Sequence, residues 1–362
     1  MKILFVNLSS LKFTAATPDR APLGGSESAL CYLARQLAQR GHDVSLTANL
    51  PDGESGRIEN IRHYPVEIIK DVAFFTHQKF STIIVCNAPA AATPLKSISP
   101  NSKIIFWAHV LPDQPSMQIL HDGQARDAVD ATVFVSAWQK GEVERVFGSF
   151  KNATVIGNGI APAFENMFIS PEDLLRAKQK RAAYTATPYR GLSVLVQAMQ
   201  GFDRDIQLDV FSSMRVYQAA DDEYAEILRQ AGLNPSMTCH GSLTQGELAQ
   251  HLRKTAFLFY PSIYPETFCI TAAEAMAAGM KIVTTRLGAL EETTMGFADL
   301  VPVESNDGDA LASAFRHAMR HAVHTFTQNP TLWAHNMYEQ AQRANNGYNW
   351  AARAEVWERV LA

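Results

Sequence analysis

The chain has 362 residues, 47% of them hydrophobic and 19% charged, which is enough for two globular domains with separate cores. A net charge of −4 gives no electrostatic basis for a nucleic-acid partner, and no apolar run is long enough to cross a membrane. The chain opens directly as a strand, so we expect no signal peptide. Its four cysteines have neither metal-site nor disulfide-framework spacing, and we expect buried thiols in a reducing cytoplasm.

The first 160 residues alternate strands with helices, which is the pattern of a doubly wound parallel sheet. Leucines recur at helical spacing over residues 26–40, and Gly41 ends that predicted helix. A further helix is predicted over residues 138–147. Short apolar runs predict strands at residues 2–6, 44–47, 82–86, 104–107, 132–135 and 154–156.

A Gly- and Pro-rich link at residues 158–164 separates this series from a second one. Residues 309–362 are helical by pattern, with divisions expected at Pro330 and Gly347. The two series predict two parallel-sheet domains, and such sheets bind ligands at the carboxyl ends of their strands. Strands of the second series are predicted at residues 182–186, 207–211, 238–240, 256–260, 282–285 and 300–303.

Residues 260–279 hold the most specific pattern in the chain. The predicted strand at 256–260 is followed by a Pro-punctuated loop and then by a helix of small residues. Glu266 lies in the loop and Glu274 in the first helical turn, so both can face the carboxyl end of that strand. With the Gly-x-x-x-Glu run at 288–292, this string resembles the Glu-x7-Glu signature of retaining GT-B glycosyltransferases of family 4, the glycosyl transferases group 1.

The resemblance implies an α/β fold of the GT-B type, in which two Rossmann-like, doubly wound parallel-sheet domains face a central cleft. It implies an acceptor-binding domain at residues 1–160 and a nucleotide-sugar donor-binding domain at residues 161–346. The last helix, residues 347–362, is implied to cross back to the first domain.

The resemblance assigns Glu266 to the donor sugar, so this loop carboxylate should matter for turnover more than for folding. It assigns Glu274 to the ribose hydroxyls, from which a carboxylate accepts two hydrogen bonds. The residues leave an alternative for Glu274, because Thr271-x-x-Glu274 is also the pattern of a helix capping box. The resemblance also implies that the phosphates meet backbone N–H groups at the helix start. These belong to Thr267, Phe268, Cys269 and Ile270.

In the first domain, Gly24 and Gly25 precede the first long helix, where backbone N–H groups can approach an anion. A plain turn with Ser26 as the helix cap is the alternative, and the resemblance favours a place near the donor phosphates and the acceptor. His109 follows the strand at 104–107, where it can hydrogen-bond a sugar hydroxyl or interact with a developing charge. A satisfied histidine at a strand exit is the alternative, and the resemblance favours a catalytic contact.

Arg190 opens the first helix of the second domain, and the resemblance places it against the donor diphosphate. That leaving group gains negative charge as the glycosidic bond breaks, so it needs a cation. Most relatives carry Lys at the position of Arg190 and Arg at that of Thr185, so one cation is changed in type and the other is missing. Arg215, after the strand at 207–211, is the expected substitute, and a surface arginine is the alternative for each.

The resemblance assigns the nucleobase to backbone groups of Ser242 and Leu243, so no side chain identifies the base. We predict a hexosyltransferase of class EC 2.4 that moves a sugar with retention from a nucleotide sugar, UDP- or GDP-linked. The predicted acceptor is a glycan or a lipid-linked saccharide in cell-surface polysaccharide assembly. No Asp-x-Asp metal site and no cofactor beyond the donor are expected.

Two alternatives stay open. One is a non-catalytic nucleotide-sugar-binding subunit of a transferase complex, which the departure at Thr185 allows. The other is a nucleotide-sugar epimerase on the same fold. The predicted location is the cytoplasm, with peripheral contact to the inner face of a membrane as a variant of it. The sequence sets no oligomeric state.

Overall fold

A computed structural model describes residues 1–202, 206–303 and 307–362 of the chain. The chain divides into two compact units, one of residues 1–158 with 350–362 and the other of residues 159–349. Each unit is built around a parallel sheet with helices packed on it.

The first unit contains eight strands: β1 (Lys2–Asn7), β2 (Asp43–Ala48), β3 (Gly56–Ile58), β4 (Ile61–Pro65), β5 (Thr82–Cys86), β6 (Lys103–Ala108), β7 (Ala131–Phe134) and β8 (Ala153–Val155). They form one sheet in the order β3-β4-β2-β1-β5-β6-β7-β8, and neighbours run parallel except for the antiparallel pair of β3 and β4. The helices of this stretch are α1 (Thr17–Arg20), α2 (Gly25–Gln39), α3 (Val72–Gln78), α4 (Ala92–Ile98), α5 (Gly123–Asp127) and α6 (Ala137–Phe147).

Every strand predicted for this unit forms, and each bound lies within about one residue of the prediction. The apolar runs are buried because helices cover a parallel sheet on both faces. β3 and β4 are absent from the predicted strands, because residues 56–65 are largely polar and only partly buried. Glu59 and Asn60, both with positive φ, form the two-residue turn between these strands.

Within the described residues, the second unit contains six strands: β9 (Gln179–Tyr184), β10 (Gln207–Val210), β11 (Met237–Cys239), β12 (Thr255–Tyr260), β13 (Lys281–Thr285) and β14 (Asp299–Val301). Their order is β11-β10-β9-β12-β13-β14, and all neighbours run parallel. The order reverses between β9 and β12, the point at which open parallel sheets bind ligands. The helices that follow α6 are α7 (Pro171–Ala177), α8 (Leu192–Met199), α9 (Ala225–Leu233), α10 (Gln245–Lys254), α11 (Ile270–Ala277), α12 (Leu290–Thr293), α13 (Gly308–Gln328), α14 (Pro330–Tyr348) and α15 (Trp350–Leu361).

Some predicted boundaries in this half of the chain are wrong. β9 spans 179–184 rather than 182–186, because its first residues are polar and give no apolar run. Gly347 lies inside α14 and does not divide the C-terminal helices. The break falls at Asn349, and α15 begins at Trp350. Pro330 does begin a helix, as predicted.

α15 is part of the first unit. Trp357 packs edge-on against Trp107, with 4.9 Å between the ring centroids. Glu358 accepts two hydrogen bonds from the Arg40 guanidinium, at 2.9 and 2.8 Å. Across the described residues, no helix combines the length and apolar character needed to span a membrane.

The cysteines differ in exposure. Cys31, Cys86 and Cys269 are buried, as expected, but Cys239 is exposed, so the expectation of a buried thiol is wrong there. The reason is its place at the end of β11, which is an edge strand of the second sheet.

Lys178 follows α7 and contacts the C-terminal ends of α10 and α11. Its buried ammonium donates to the carbonyls of Leu252 (3.0 Å), Thr255 (2.7 Å) and Ala278 (2.5 Å). Leu252 lies in the last turn of α10 and Ala278 directly follows α11, so one cation satisfies the carbonyl ends of both helices. Burial lowers the pKa of Lys178 well below its usual value. The contact fixes the end of α11, the helix that carries Glu274.

Candidate functional site

The loops that follow β9 and β12 bring Arg190 and Glu266 together at the switch point of the second sheet. Arg190 Nη1 donates to Glu266 Oε1, and Tyr260 Oη donates to the same oxygen. The exposed fraction is 18% for the Arg190 side chain and 9% for that of Glu266. The cation expected at the phosphates and the carboxylate expected at the sugar therefore form an ion pair. The alternative of a surface arginine is wrong for Arg190.

Two glycines hold this contact in place. A Cβ at Gly191, where φ is +125°, would overlap the carbonyl of Pro261. A Cβ at Gly288, where φ is +64°, would lie 2.5 Å from the backbone N and O of Glu266. The loop that carries Glu266 thus packs closely against the turns at Gly191 and Gly288, where only glycine fits. This close packing fixes the position of the Glu266 carboxylate.

Aromatic rings surround the guanidinium of Arg190. Its central carbon lies 4.5 Å from the ring centroid of Tyr264 and 5.3 Å from that of Tyr189, both within cation–π range. The Tyr217 hydroxyl lies beside it as well. Burial has the largest single effect and acts to lower the pKa of Arg190, but the charge of Glu266 and the neighbouring tyrosines together raise it, so the side chain stays a cation. The rings and the carboxylate together restrict the guanidinium to one orientation.

Glu274 does not cap its own helix. α11 begins at Ile270 after Cys269, and the Thr271 hydroxyl donates to the Thr185 carbonyl at 2.8 Å. Glu274 Oε1 instead accepts from the Ala161 N–H at 3.2 Å. The capping-box alternative is therefore wrong, and Glu274 lies in the second turn of the helix rather than the first.

Burial raises the pKa of Glu274 to about 8, an effect that the Ala161 N–H partly offsets. The folded protein thus holds a proton on this carboxyl between pH 4.5, near its ordinary pKa, and about pH 8, whereas the unfolded chain has released it. Stability should therefore fall as pH rises through this window, by at most about 1.4 kcal/mol per pH unit.

Glu274→Gln should remove that pH dependence, because an amide of the same size does not titrate. We expect the urea midpoint of this variant to exceed that of the wild type at pH 8 and to approach it at pH 5. Glu291→Gln is the control, since Glu291 has an exposed side chain in α12 and should follow the wild type. Parallel pH profiles for the wild type and Glu274→Gln would contradict the assignment.

The start of α11 offers backbone donors. Cys269 has φ +75°, and this turn leads the chain into the helix. Within the described part of the chain, the N–H groups of Phe268, Cys269 and Ile270 have no acceptor. Thr267 precedes them and is partly buried. Unpaired N–H groups at a helix start favour an anion, which is consistent with the phosphate contact implied for these four residues.

The remaining expected residues of the second unit lie in loops and in a single turn that follow its strands. Arg215 is exposed in a single turn after β10, and its side chain makes no ion pair with the described residues. Ser242 and Leu243 are partly buried between β11 and α10. Thr185 is buried and uncharged, so no cation replaces the missing one at that position. The roles of Arg215, Ser242 and Leu243 stay predictions.

In the first unit, His109 follows β6 and is buried. Its Nε2 lies 3.2 Å from Asn158 Oδ1 and its Nδ1 lies 3.6 Å from Cys86 Sγ. An amide oxygen only accepts, so this arrangement places the proton on Nε2. Burial lowers the pKa of His109 to about 4, although Asn158 opposes the shift. Both ring nitrogens thus have partners within the fold, as in the alternative of a satisfied histidine, and a ring that is neutral at neutral pH offers no positive charge. A contact between His109 and the donor sugar stays a prediction.

Gly24 caps α2, which begins at Gly25, so the alternative of Ser26 as the cap is wrong. Glu27 in the first turn of α2 is buried, and burial raises its pKa while Ser9 and Asn7 hydrogen-bond to it. This carboxyl was not among the predicted site residues. The signals were its place directly after the two glycines and the polar Asn7 at the end of β1.

No group of three or more His, Cys, Asp or Glu side chains within the described residues is arranged to hold a metal ion. The sequence does contain two Asp-x-Asp strings. One, at residues 203–205, lies outside the described residues. In the other, Asp307 accepts from backbone N–H groups at the start of α13, and Asp309 accepts from Gln197. These carboxylates have structural partners.

Residues 182–321 match the family model described as Glycosyl transferases group 1. The segment runs from β9 into α13 and so contains Arg190, Glu266 and Glu274. The MMP alpha-(1->4)-mannosyltransferase of Mycolicibacterium hassiacum is 30% identical over 128 residues, which cover 35% of this chain and 30% of that protein. The chain spans less than a third of the length of the curated relatives it matches.

Solved structures extend the likeness to the whole chain at the level of fold. Sucrose-phosphate synthase from Thermosynechococcus elongatus has a TM-score of 0.74 at 17% identity, covering 99% of this chain and 98% of that one. Anabaena HepE in complex with UDP-glucose has a TM-score of 0.73 at 15% identity, covering 100% and 99%. The chain therefore has the α/β fold with two parallel-sheet domains found in GT-B glycosyltransferases, which confirms the predicted fold class.

Proposed function

We propose that the protein is a glycosyltransferase that moves a sugar with retention from a nucleotide sugar to a hydroxyl of a saccharide or lipid-linked acceptor. The observation that carries this proposal is the Arg190–Glu266 pair at the switch point of the second sheet. It lies close to the N–H groups at the start of α11 that have no acceptor among the described residues, within the segment that matches Glycosyl transferases group 1.

Each group has a role in the proposed reaction. The acceptor oxygen forms a bond to the anomeric carbon as the bond from that carbon to the diphosphate breaks. The leaving phosphate takes the acceptor proton, so a nucleoside diphosphate and a glycoside are the products. Arg190 and the N–H groups of residues 268–270 stabilise the charge that grows on the diphosphate. Glu266 accepts a hydrogen bond from a sugar hydroxyl, and Glu274 accepts one from the ribose. These hydrogen bonds hold the donor in position for attack.

The nucleotide of the donor sugar is proposed from a solved structure with the same fold. HepE, which shares this fold, is described in complex with UDP-glucose, so a UDP-sugar is the first donor to test and a GDP-sugar the second. We propose no cofactor beyond the donor and no metal, because Arg190 and the backbone N–H groups can carry the diphosphate charge. We propose a cytoplasmic location for the protein. Contact with a membrane, in this proposal, is peripheral and limited to the inner face of that membrane.

A donor screen tests the function. UDP-, GDP- and ADP-glucose and GDP-mannose are titrated by calorimetry and then incubated without acceptor. We expect one nucleotide series to bind and to release nucleoside diphosphate slowly, with the sugar appearing first as the anomer of the donor. Binding without release favours the non-catalytic subunit, and conversion to another nucleotide sugar favours the epimerase. Failure of every nucleotide sugar to bind would contradict the proposal.

A further inference from the structure

Tyr260 is the last residue of β12, and its side chain is 1% exposed. Its hydroxyl donates to Glu266 Oε1, and the Ser262 hydroxyl lies 3.4 Å from the phenol oxygen. Burial, reinforced by the charge of Glu266, raises the pKa of Tyr260 well above its usual value. The phenol therefore keeps its proton and acts as a donor to the carboxylate.

Arg190 and Tyr260 both use the same oxygen of Glu266. Among the described residues, Oε2 of Glu266 has no hydrogen-bond partner. An arginine beside a carboxylate frequently binds both oxygens in parallel hydrogen bonds, and here it binds one. The second donor on Oε1 holds the carboxylate in an orientation that leaves Oε2 unshared.

We infer that Tyr260 is a positioning residue that presents Oε2 of Glu266 to the sugar hydroxyl and prevents Arg190 from taking both oxygens. The inference rests on the proposed sugar transfer. Without the phenol hydroxyl, the carboxylate can turn until Arg190 binds both of its oxygens. The donor can still bind, but its sugar hydroxyl then meets a carboxylate that is turned away from the orientation that favours transfer.

Tyr260→Phe removes one oxygen and keeps the ring, so it isolates this role. We expect kcat for transfer to fall about tenfold to a hundredfold, with the KM of the donor changed less than about twofold, since the bond acts on orientation. The matched control is Tyr184→Phe. Tyr184 is equally buried on the neighbouring strand and its ring lies 5.9 Å from that of Tyr260, but its hydroxyl donates to Thr187. Its kcat should stay within about twofold of the wild type.

A double-variant cycle separates positioning from a loss of structure. In the Glu266→Ala background there is no carboxylate to position, so Tyr260→Phe should produce no further fall in kcat. An equal fall in both backgrounds, a change confined to KM, or a wild-type rate for Tyr260→Phe would overturn the inference.

The same cycle measured by urea unfolding needs no substrate. We expect the midpoints of the four proteins to be non-additive, because Tyr260 and Glu266 are in contact. Coupled unfolding without any sugar transfer by the wild type would count against the proposed function while leaving the contact intact. Additive midpoints would remove the contact itself and with it the inference.

Discussion

Glu266→Ala should lower sugar transfer by about a hundredfold to a thousandfold, the scale for losing a group that acts on the reacting sugar. As a loop residue, Glu266 is expected from sequence to matter little for folding, and the structure changes that expectation. Its removal leaves the Arg190 charge unpaired and largely buried. Breaking a buried pair in this way costs about 3–5 kcal/mol, so we also expect the Tm to fall by roughly 10 °C.

A double variant separates the two effects. Glu266→Gln combined with Arg190→Met removes both charges and keeps an acceptor for the Tyr260 hydroxyl. Replacing a buried ion pair with neutral groups of similar size is often neutral for stability, so its Tm should return close to that of the wild type. Transfer should stay lost, because both predicted site residues are gone. A double variant as unstable as Glu266→Ala would mean that the pair stabilises the fold in its own right.

The sequence predicted the strands correctly wherever they coincide with short, continuous apolar runs. β5 follows this rule, since its five residues are apolar or β-branched and all are buried. β9 starts with Gln, Lys and Arg, and only its pairing with β10 and β12 makes those residues a strand. Such pairing is non-local, and periodicity within one segment does not contain it.

The sequence predicted which residues belong to the candidate site, but it did not predict which of them contact each other. Arg190 and Glu266 were each assigned to a different part of the donor, although they lie 76 residues apart and touch each other. The signal for their contact was indirect: Gly191 and Gly288 mark two places where backbones approach closely. Tyr260 looked like the end of an apolar strand, because nothing in a single sequence distinguishes a tyrosine that packs from one that donates a hydrogen bond to a carboxylate.

Arg190→Lys should lower kcat/KM by about tenfold to a hundredfold, although Lys is the residue that the family resemblance implies at this position. A planar guanidinium can contact Glu266 while it lies within cation–π range of Tyr189 and Tyr264, and it still has N–H groups for a phosphate. An ammonium is a point charge that packs less well against aromatic rings. It can contact either the carboxylate or the phosphate, but not both as a guanidinium can. Arg190→Ala should cost about 2–4 kcal/mol of transition-state stabilisation, measured as the ratio of kcat/KM values.

Arg215→Ala tests whether a second cation shares the diphosphate. Arg215 makes no ion pair with the described residues, so its charge is available to a ligand. If both arginines act on one diphosphate, the double variant should lose less than the sum of the two singles. Strict additivity with a near-neutral Arg215→Ala would remove Arg215 from the site.

The ion pair leads to a further expectation for Arg190. While Glu266 neutralises the guanidinium, less of its charge is available to a diphosphate, so Glu266→Gln should release that charge. We expect this variant to bind free nucleoside diphosphate about three- to tenfold more tightly than the wild type, although it transfers sugar poorly. Calorimetry with UDP and GDP measures the change, and Glu291→Gln, which removes an exposed acid in α12, should leave the affinity unaltered. Weaker binding by Glu266→Gln, or unchanged binding by Arg190→Ala, would place the phosphates away from Arg190 and return it to a purely structural role.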